Sequence, residues 1–117
     1  MKRDLDLIRL ILIELEGEEE VSLSDYTKEQ IDYHKALVKE AGFADGVIKF
    51  SSMDNSNIPA LAILNRLTWE GHEFLDKAKN EKTWNKAKSI IKSKGGSLSM
   101  EAIKIVMSES VKFVLNQ

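Results

Sequence analysis

The most constraining stretch of the sequence runs from Thr27 to Gly42, because it carries both its own start signal and its own stop signal. Thr27 and Gln30 stand at the spacing of a capping box, in which each side chain satisfies an orphan backbone N–H at the helix start. Ile31, His34, Val38 and Ala41 then recur at helical intervals, with Leu37 beside them. Gly42 follows where a left-handed residue closes a helix. The stretch predicts one helix of fixed length whose apolar stripe needs a partner. Two apolar, β-tolerant runs come next, residues 43–50 and 59–67, separated by the polar turn-rich segment 51–57. Pro59 has no N–H to give a ladder, so it belongs at the start of the second strand or on an edge. A hairpin is expected, and a lone hairpin must dock on helices to be stable in water.

The remaining periodicity is helical. Leu5, Ile8, Leu12 and Leu15 form a stripe widened by Ile11, with Asp4 or Asp6 as the cap and Gly17 as the stop. Val21 and Leu23 alternate with polar residues and predict a brief strand. Thr68 caps a helix that turns Gly71, Phe74, Leu75 and Ala78 inward. A break is expected between Asn80 and Thr83, then a helix carrying Trp84, Ala87, Ile90 and Ile91 that ends at Gly95-Gly96. Ser97 or Ser99 starts a last helix with Ile103, Val106, Met107, Val111 and Val114 on its stripe. The pattern predicts a mostly α, α+β chain of winged-helix type, with one β-hairpin wing and additional C-terminal helices. We read one domain over 1–117, with a core over 1–79, a wing at about 43–67 and a helical extension over 80–117.

A chain of 117 residues without cysteine excludes disulfide frameworks and thiolate metal sites. No apolar run approaches the ~20 residues needed to cross a bilayer. Asp4, Asp6, Arg9 and Glu14 interrupt the first apolar stretch, unlike a secretory leader. A cytoplasmic protein with no membrane partner is expected. The net charge of -2 conceals an asymmetry: residues 1–60 hold 7 Lys and Arg against 13 Asp and Glu, whereas residues 61–117 hold 10 against 6. A chain polarised in this way points weakly to polyanions.

Residues 30–43, Gln-Ile-Asp-Tyr-His-Lys-Ala-Leu-Val-Lys-Glu-Ala-Gly-Phe, resemble the recognition-helix segment of winged-helix regulators. Residues 67–75, Leu-Thr-Trp-Glu-Gly-His-Glu-Phe-Leu, resemble the passage from a wing's second strand into the next helix. With the opening Met1 to Ile8 and the later Thr83-Trp84-Asn85-Lys86, they are similar to DUF2513, a domain family of bacteria and phages. The resemblance spans about the whole chain and implies the winged-helix fold and a phage or prophage setting. It implies no activity, ligand or cofactor.

Two groups of lysines are candidate nucleic-acid contacts. The first is Lys28, Lys35 and Lys39 on the helix that resembles a recognition helix, where the exposed face would also carry Glu29, Asp32 and Ala36. A groove-reading helix needs cations for phosphates and amide or guanidinium groups for base edges. This helix balances its lysines with carboxylates and has no arginine. The segment 51–57 brings no cation and adds Asp54. The second group is Lys77, Lys79, Lys82 and Lys86, continued by Lys88, Lys92 and Lys94, and it is the better polyanion candidate. The bland alternative is a solvated face that keeps the domain soluble. Trp69, Phe74 and Trp84 lie near these lysines in the chain, as in single-strand stacking surfaces, but aromatic residues at helical spacing are more often core, so Phe74 is expected in the core and Trp84 between its helix and the body.

His34 and His72 are the only histidines, 38 positions apart. Glu70-Gly71-His72-Glu73 lacks the second histidine of a zinc-protease helix, and Gly95-Gly96 lacks the strand and Lys-Ser/Thr of a phosphate loop. We therefore expect no catalytic, metal or cofactor site, with His34 in the core and His72 on a helix surface. The last helix has more apolar positions than one packing face requires. Ile105 and Phe113 lie off its main stripe, so Ile105, Val106, Phe113 and Val114 are the candidate surface for a homodimer or another protein partner. DNA binding or regulation, protein interaction without nucleic acid, and enzymatic activity are the three readings, and the third has no supporting constellation.

Overall fold

The computed structural model of the chain describes residues 1–53 and 56–117. Among the described residues it is mostly helical α+β, with five helices and one antiparallel hairpin. They run α1 (Leu5–Glu16), α2 (Lys28–Glu40), β1 (Ala44–Lys49), β2 (Leu61–Leu67), α3 (Trp69–Ala78), α4 (Glu81–Ser93) and α5 (Met100–Leu115). Two compact units divide the chain, Met1–His72 and Glu73–Gln117. No described helix is long and apolar enough to cross a membrane.

In the first unit α1 begins on Asp4, whose carboxylate accepts the Leu7 N–H at 3.2 Å, and it closes at Gly17. Its buried residues are Leu7, Ile8, Ile11, Leu12 and Ile13. Leu5 and Leu15, expected on the stripe, are only half-buried. The buried arc is wider and rotated because α1 packs against both α2 and β2. Val21 to Leu23 is not a strand: the Ser22 hydroxyl takes the Ser24 N–H and Leu23 O takes the Tyr26 N–H, which bends the backbone locally instead.

The capping box of α2 forms as its residues predict, with the Gln30 N–H on Thr27 Oγ1 at 3.1 Å and the Thr27 N–H on Gln30 Oε1 at 2.8 Å. Gly42 takes φ 81°, and the Phe43 N–H reaches back to Val38 O, the closing bond of a Schellman end. The hairpin pairs Ala44 with Leu67 and Lys49 with Leu61, with a bulge after the Asp45–Arg66 pair. That pair is also an ion pair at 2.7 Å. Segment 51–57 lies in the connection, and its Asp54 and Asn55 are outside the described residues.

Thr68 joins the far end of the hairpin to the end of α2. Its N–H donates to Phe43 O at 2.9 Å, its hydroxyl donates to Gly42 O at 2.5 Å, and its oxygen accepts the Gly71 N–H at 3.1 Å. Gly71 is pressed so close that a Cβ there would lie 1.9 Å from Phe43 O. The Leu-Thr-Trp-Glu-Gly string is thus a latch between two helix ends, and glycine is the only residue that fits its last position.

In the second unit Asn80 caps α4 through the Thr83 N–H at 3.0 Å, and Ser99 caps α5 through the Ala102 N–H at 3.2 Å. α4 packs along α5, and Trp84, Ala87, Ile91, Ile103, Val106 and Met107 are buried. Gly95 and Gly96, both at positive φ, make the turn between them.

Candidate nucleic-acid interface

Of the two lysine groups, the one on α2 is compromised by its neighbours. Lys28 donates to the Asp32 carboxylate at 2.5 Å, and Asp32 itself is buried. Ala36, expected on the exposed face, is also buried. The physical reason is that α2 packs against α1 and against both strands of the hairpin, so two sides of it are covered. Lys35 is half-buried. Lys39 is exposed beside a small 180 Å³ hollow that it shares with Ala36, Glu40, Ile48 and Phe50.

The second group stands on a different kind of surface. The buried residues of α4, Thr83, Trp84, Ala87 and Ile91, fall within one arc of ~100° at 3.6 residues per turn. Everything else on the helix faces outward or flanks that arc. Lys82 and Lys92 are exposed, Lys86 and Lys88 are half-exposed, and Lys94 continues beyond the helix end. Against these stands Glu81, the one carboxylate of α4. Lys86 rests its ammonium 4.0 Å from the centroid of the Phe113 ring, a cation–π contact that fixes its direction. Lys77 is half-buried and donates to the Ser108 hydroxyl at 3.2 Å, while Lys79 is half-buried too. The structure therefore gathers Lys82, Lys86, Lys88 and Lys92 on one helix and turns Lys77 and Lys86 toward α5.

Asn85 and Ser89 lie between these lysines and are exposed. Sequence reasoning that counted charges passed over them. The signal that locates them is their spacing: once Trp84 and Ile91 are known to face inward, positions 85 and 89 must face outward.

The two histidines stand in unlike surroundings. His34 is 1% exposed. Its Nδ1 lies 2.7 Å from Gln30 O, which only accepts, and its Nε2 takes the Asp4 N–H at 2.8 Å. The proton therefore sits on Nδ1, and both ring nitrogens are spent on tying the start of α1 to α2. His72 is exposed on α3. No group of three potential metal-ligating side chains occurs among the described residues. Tyr26, just before the α2 cap, has its pKa raised above the ordinary 10.0 by burial and then by the charges of Asp4, Asp6 and Asp25.

On α5 Val106 is buried and Val114 is half-buried. Ile105 and Phe113 are exposed at 64% and 46%, and Leu115 at 76%. At helical spacing these three spread over ~160° of the circumference, far wider than the narrow seam of a helix dimer. Val111, Val114 and Leu115 line one side of a 370 Å³ groove that Glu73 and Asp76 border on the other.

Comparison with known proteins places the chain. A family model described as "Hypothetical protein (DUF2513)" matches residues 2–97. The chain belongs to the DUF2513 family. A relative in Haemophilus influenzae, named "Uncharacterized protein", is 38% identical over 122 residues, covering 98% of this chain and 99% of the relative. No solved structure matches the chain. Within the DUF2513 match fall α1, α2, the hairpin, the Thr68–Gly71 latch and the whole of α4, whereas α5 lies beyond it.

Proposed function

We propose that this DUF2513 protein is a nucleic-acid-binding accessory protein of the cytoplasm, and that it meets its polyanion through the outer face of α4. The observation that carries the reading is the arrangement of that helix: four lysines against one carboxylate, on a helix buried along a single arc. Each phosphate neutralised by such a lysine releases condensed counterions, so the surface has a built-in driving force for nucleic acid. The order helix, helix, hairpin in Met1–His72, which ends within the first turn of α3, supports reading that unit as winged-helix-like, with β1–β2 as the wing. The fold analogy is associational, and the contact is assigned to α4 because Lys28 is already neutralised by Asp32. The reading involves no catalytic step and no cofactor.

The test is fluorescence anisotropy of labelled random-sequence duplex titrated with the protein at low and then moderate salt. Binding that falls steeply with salt, and that the charge reversals Lys82→Glu and Lys92→Glu abolish, is expected. Absence of binding at tens of micromolar protein in low salt would sink the reading. A second reading, protein association through α5, is favoured by the exposure of Ile105 and of Leu115, the latter on the apolar wall of the groove. Size-exclusion light scattering that returns a monomer removes self-association from it.

A further inference from the structure

The outer arc of α4 has an internal order that charge alone does not require. At ~100° per residue, Asn85 and Ser89 point along its middle, ~40° apart. Lys82 and Lys86 run down one flank and Lys88 and Lys92 down the other. The ridge is polar and unspent: neither the Asn85 amide nor the Ser89 hydroxyl has a hydrogen-bond partner among the described residues, whereas the nearby Ser93 hydroxyl is taken up by Ile90 O at 2.6 Å. Asparagine and serine are also mediocre helix formers. At an exposed mid-helix position they add nothing to the stability of α4 that alanine or glutamate would not add better.

We infer that α4 is a major-groove reading helix for duplex DNA, with Asn85 and Ser89 against base edges and Lys82 on one flank and Lys88 and Lys92 on the other toward the phosphates of the opposing strands. The inference rests on the nucleic-acid reading above and narrows it to one class of nucleic acid. The major groove, ~12 Å wide, admits one α-helix and is walled by phosphates on both sides. A helix with a polar ridge between two cationic flanks complements that shape. A single-strand surface instead needs exposed aromatic rings on which bases stack. Trp84 of α4 is 2% exposed and serves the core, and one face of the nearest exposed ring, Phe113 of α5, is taken by the Lys86 ammonium. Glu81 occupies the first turn, so the middle and C-terminal turns, where Asn85, Ser89 and Lys92 lie, make the approach. An asparagine amide pairs bidentately with N6 and N7 of adenine, and serine accepts any base. The site read by α4 therefore contains an adenine opposite Asn85.

The experiment is selection by the full chain from a randomised duplex pool. Anisotropy then compares the enriched site with a scrambled duplex, the single strand of the same sequence, and heparin. The wild-type chain is expected to enrich a site with a fixed adenine and to prefer it to the scrambled duplex by about tenfold or more. Asn85→Ala should erase the preference at that adenine, as should 7-deazaadenine in the DNA, bringing the affinity for the enriched site down to that for the scrambled duplex. The double substitution Lys82→Ala and Lys92→Ala should weaken every duplex alike and lower the salt slope by about 2. Unchanged thermal melts by circular dichroism show that these surface variants fold. Enrichment untouched by Asn85→Ala, or single strand and heparin bound as tightly as duplex, overturns the groove reading and leaves the nucleic-acid role standing. Absence of binding to every probe overturns both.

Discussion

α2 and α4 are each 13 residues long, each begins on a side-chain cap, and each carries at least three lysines. They differ in how many sides are covered. The buried residues of α2, Asp32, His34, Ala36 and Val38, lie on opposite sides of the helix, because α1 and the hairpin both pack on it. Those of α4 make one arc. A helix held from two sides has little surface left to present, and its charges are drawn into local pairs such as Lys28–Asp32. A helix held from one side keeps most of its circumference for a partner. The number of packing neighbours, more than the number of charges, decides which helix is available to bind.

The comparison can be broken most severely at Trp84. If α4 hangs on a single arc, Trp84→Ala removes its largest anchor, and about 3–5 kcal/mol of stability should be lost in a urea melt. A loss below 1 kcal/mol would mean that α4 is supported elsewhere. Next in size is His34→Ala, which opens a cavity in α2 and strips the Asp4 N–H of its acceptor; about 2–4 kcal/mol is expected. Hydrogen exchange at Asp4 should accelerate in the same variant, and protection equal to wild type would refute the tie between α1 and α2. Thr27→Ala and Asn80→Ala sharpen the comparison further. Each removes a cap and should cost about 1 kcal/mol. Equal costs would show that the two helices differ in packing and not in how well they start.

The smallest effect is at Tyr26, whose pKa is raised in the folded state. The folded protein holds that proton more tightly than the unfolded chain does. The resulting stability is complete below the unfolded value near 10.0 and is lost as pH rises through the folded one. Tyr26→Phe should flatten the alkaline limb of a stability-against-pH curve, and an unaltered limb would assign the loss to other groups.

Local chemistry in this chain was legible and shared packing was not. Thr27, Gln30, Gly42 and Gly17 announce their roles in the sequence because a cap or a stop depends on a few neighbouring residues. Phe74, Leu75, Ala78 and Trp84 are buried as their spacing predicts. Asp32 and Ala36 read as exposed, since periodicity identifies one buried face and gives no sign of a second neighbour. Val21 to Leu23 read as a strand, since alternation cannot foresee that serine hydroxyls will capture the backbone. On the candidate interface the lysines were legible as charge. Asn85 and Ser89 were not, because their meaning depends on which side of α4 is buried.

The Thr68 latch also determines where this molecule can change. Its hydroxyl bond to Gly42 O closes a loop with a sequence separation of 26, reinforced by the bond to Phe43 O, with the entire hairpin inside it. The ends of α2 and α3 are thus tied to each other directly, without the hairpin as intermediary. Residues inserted between Lys49 and Leu61 lengthen a loop whose closure cost grows only logarithmically, about 0.6 kcal/mol per doubling. The hairpin is therefore a site where length can drift among relatives, or be engineered, while the helices on either side keep their places.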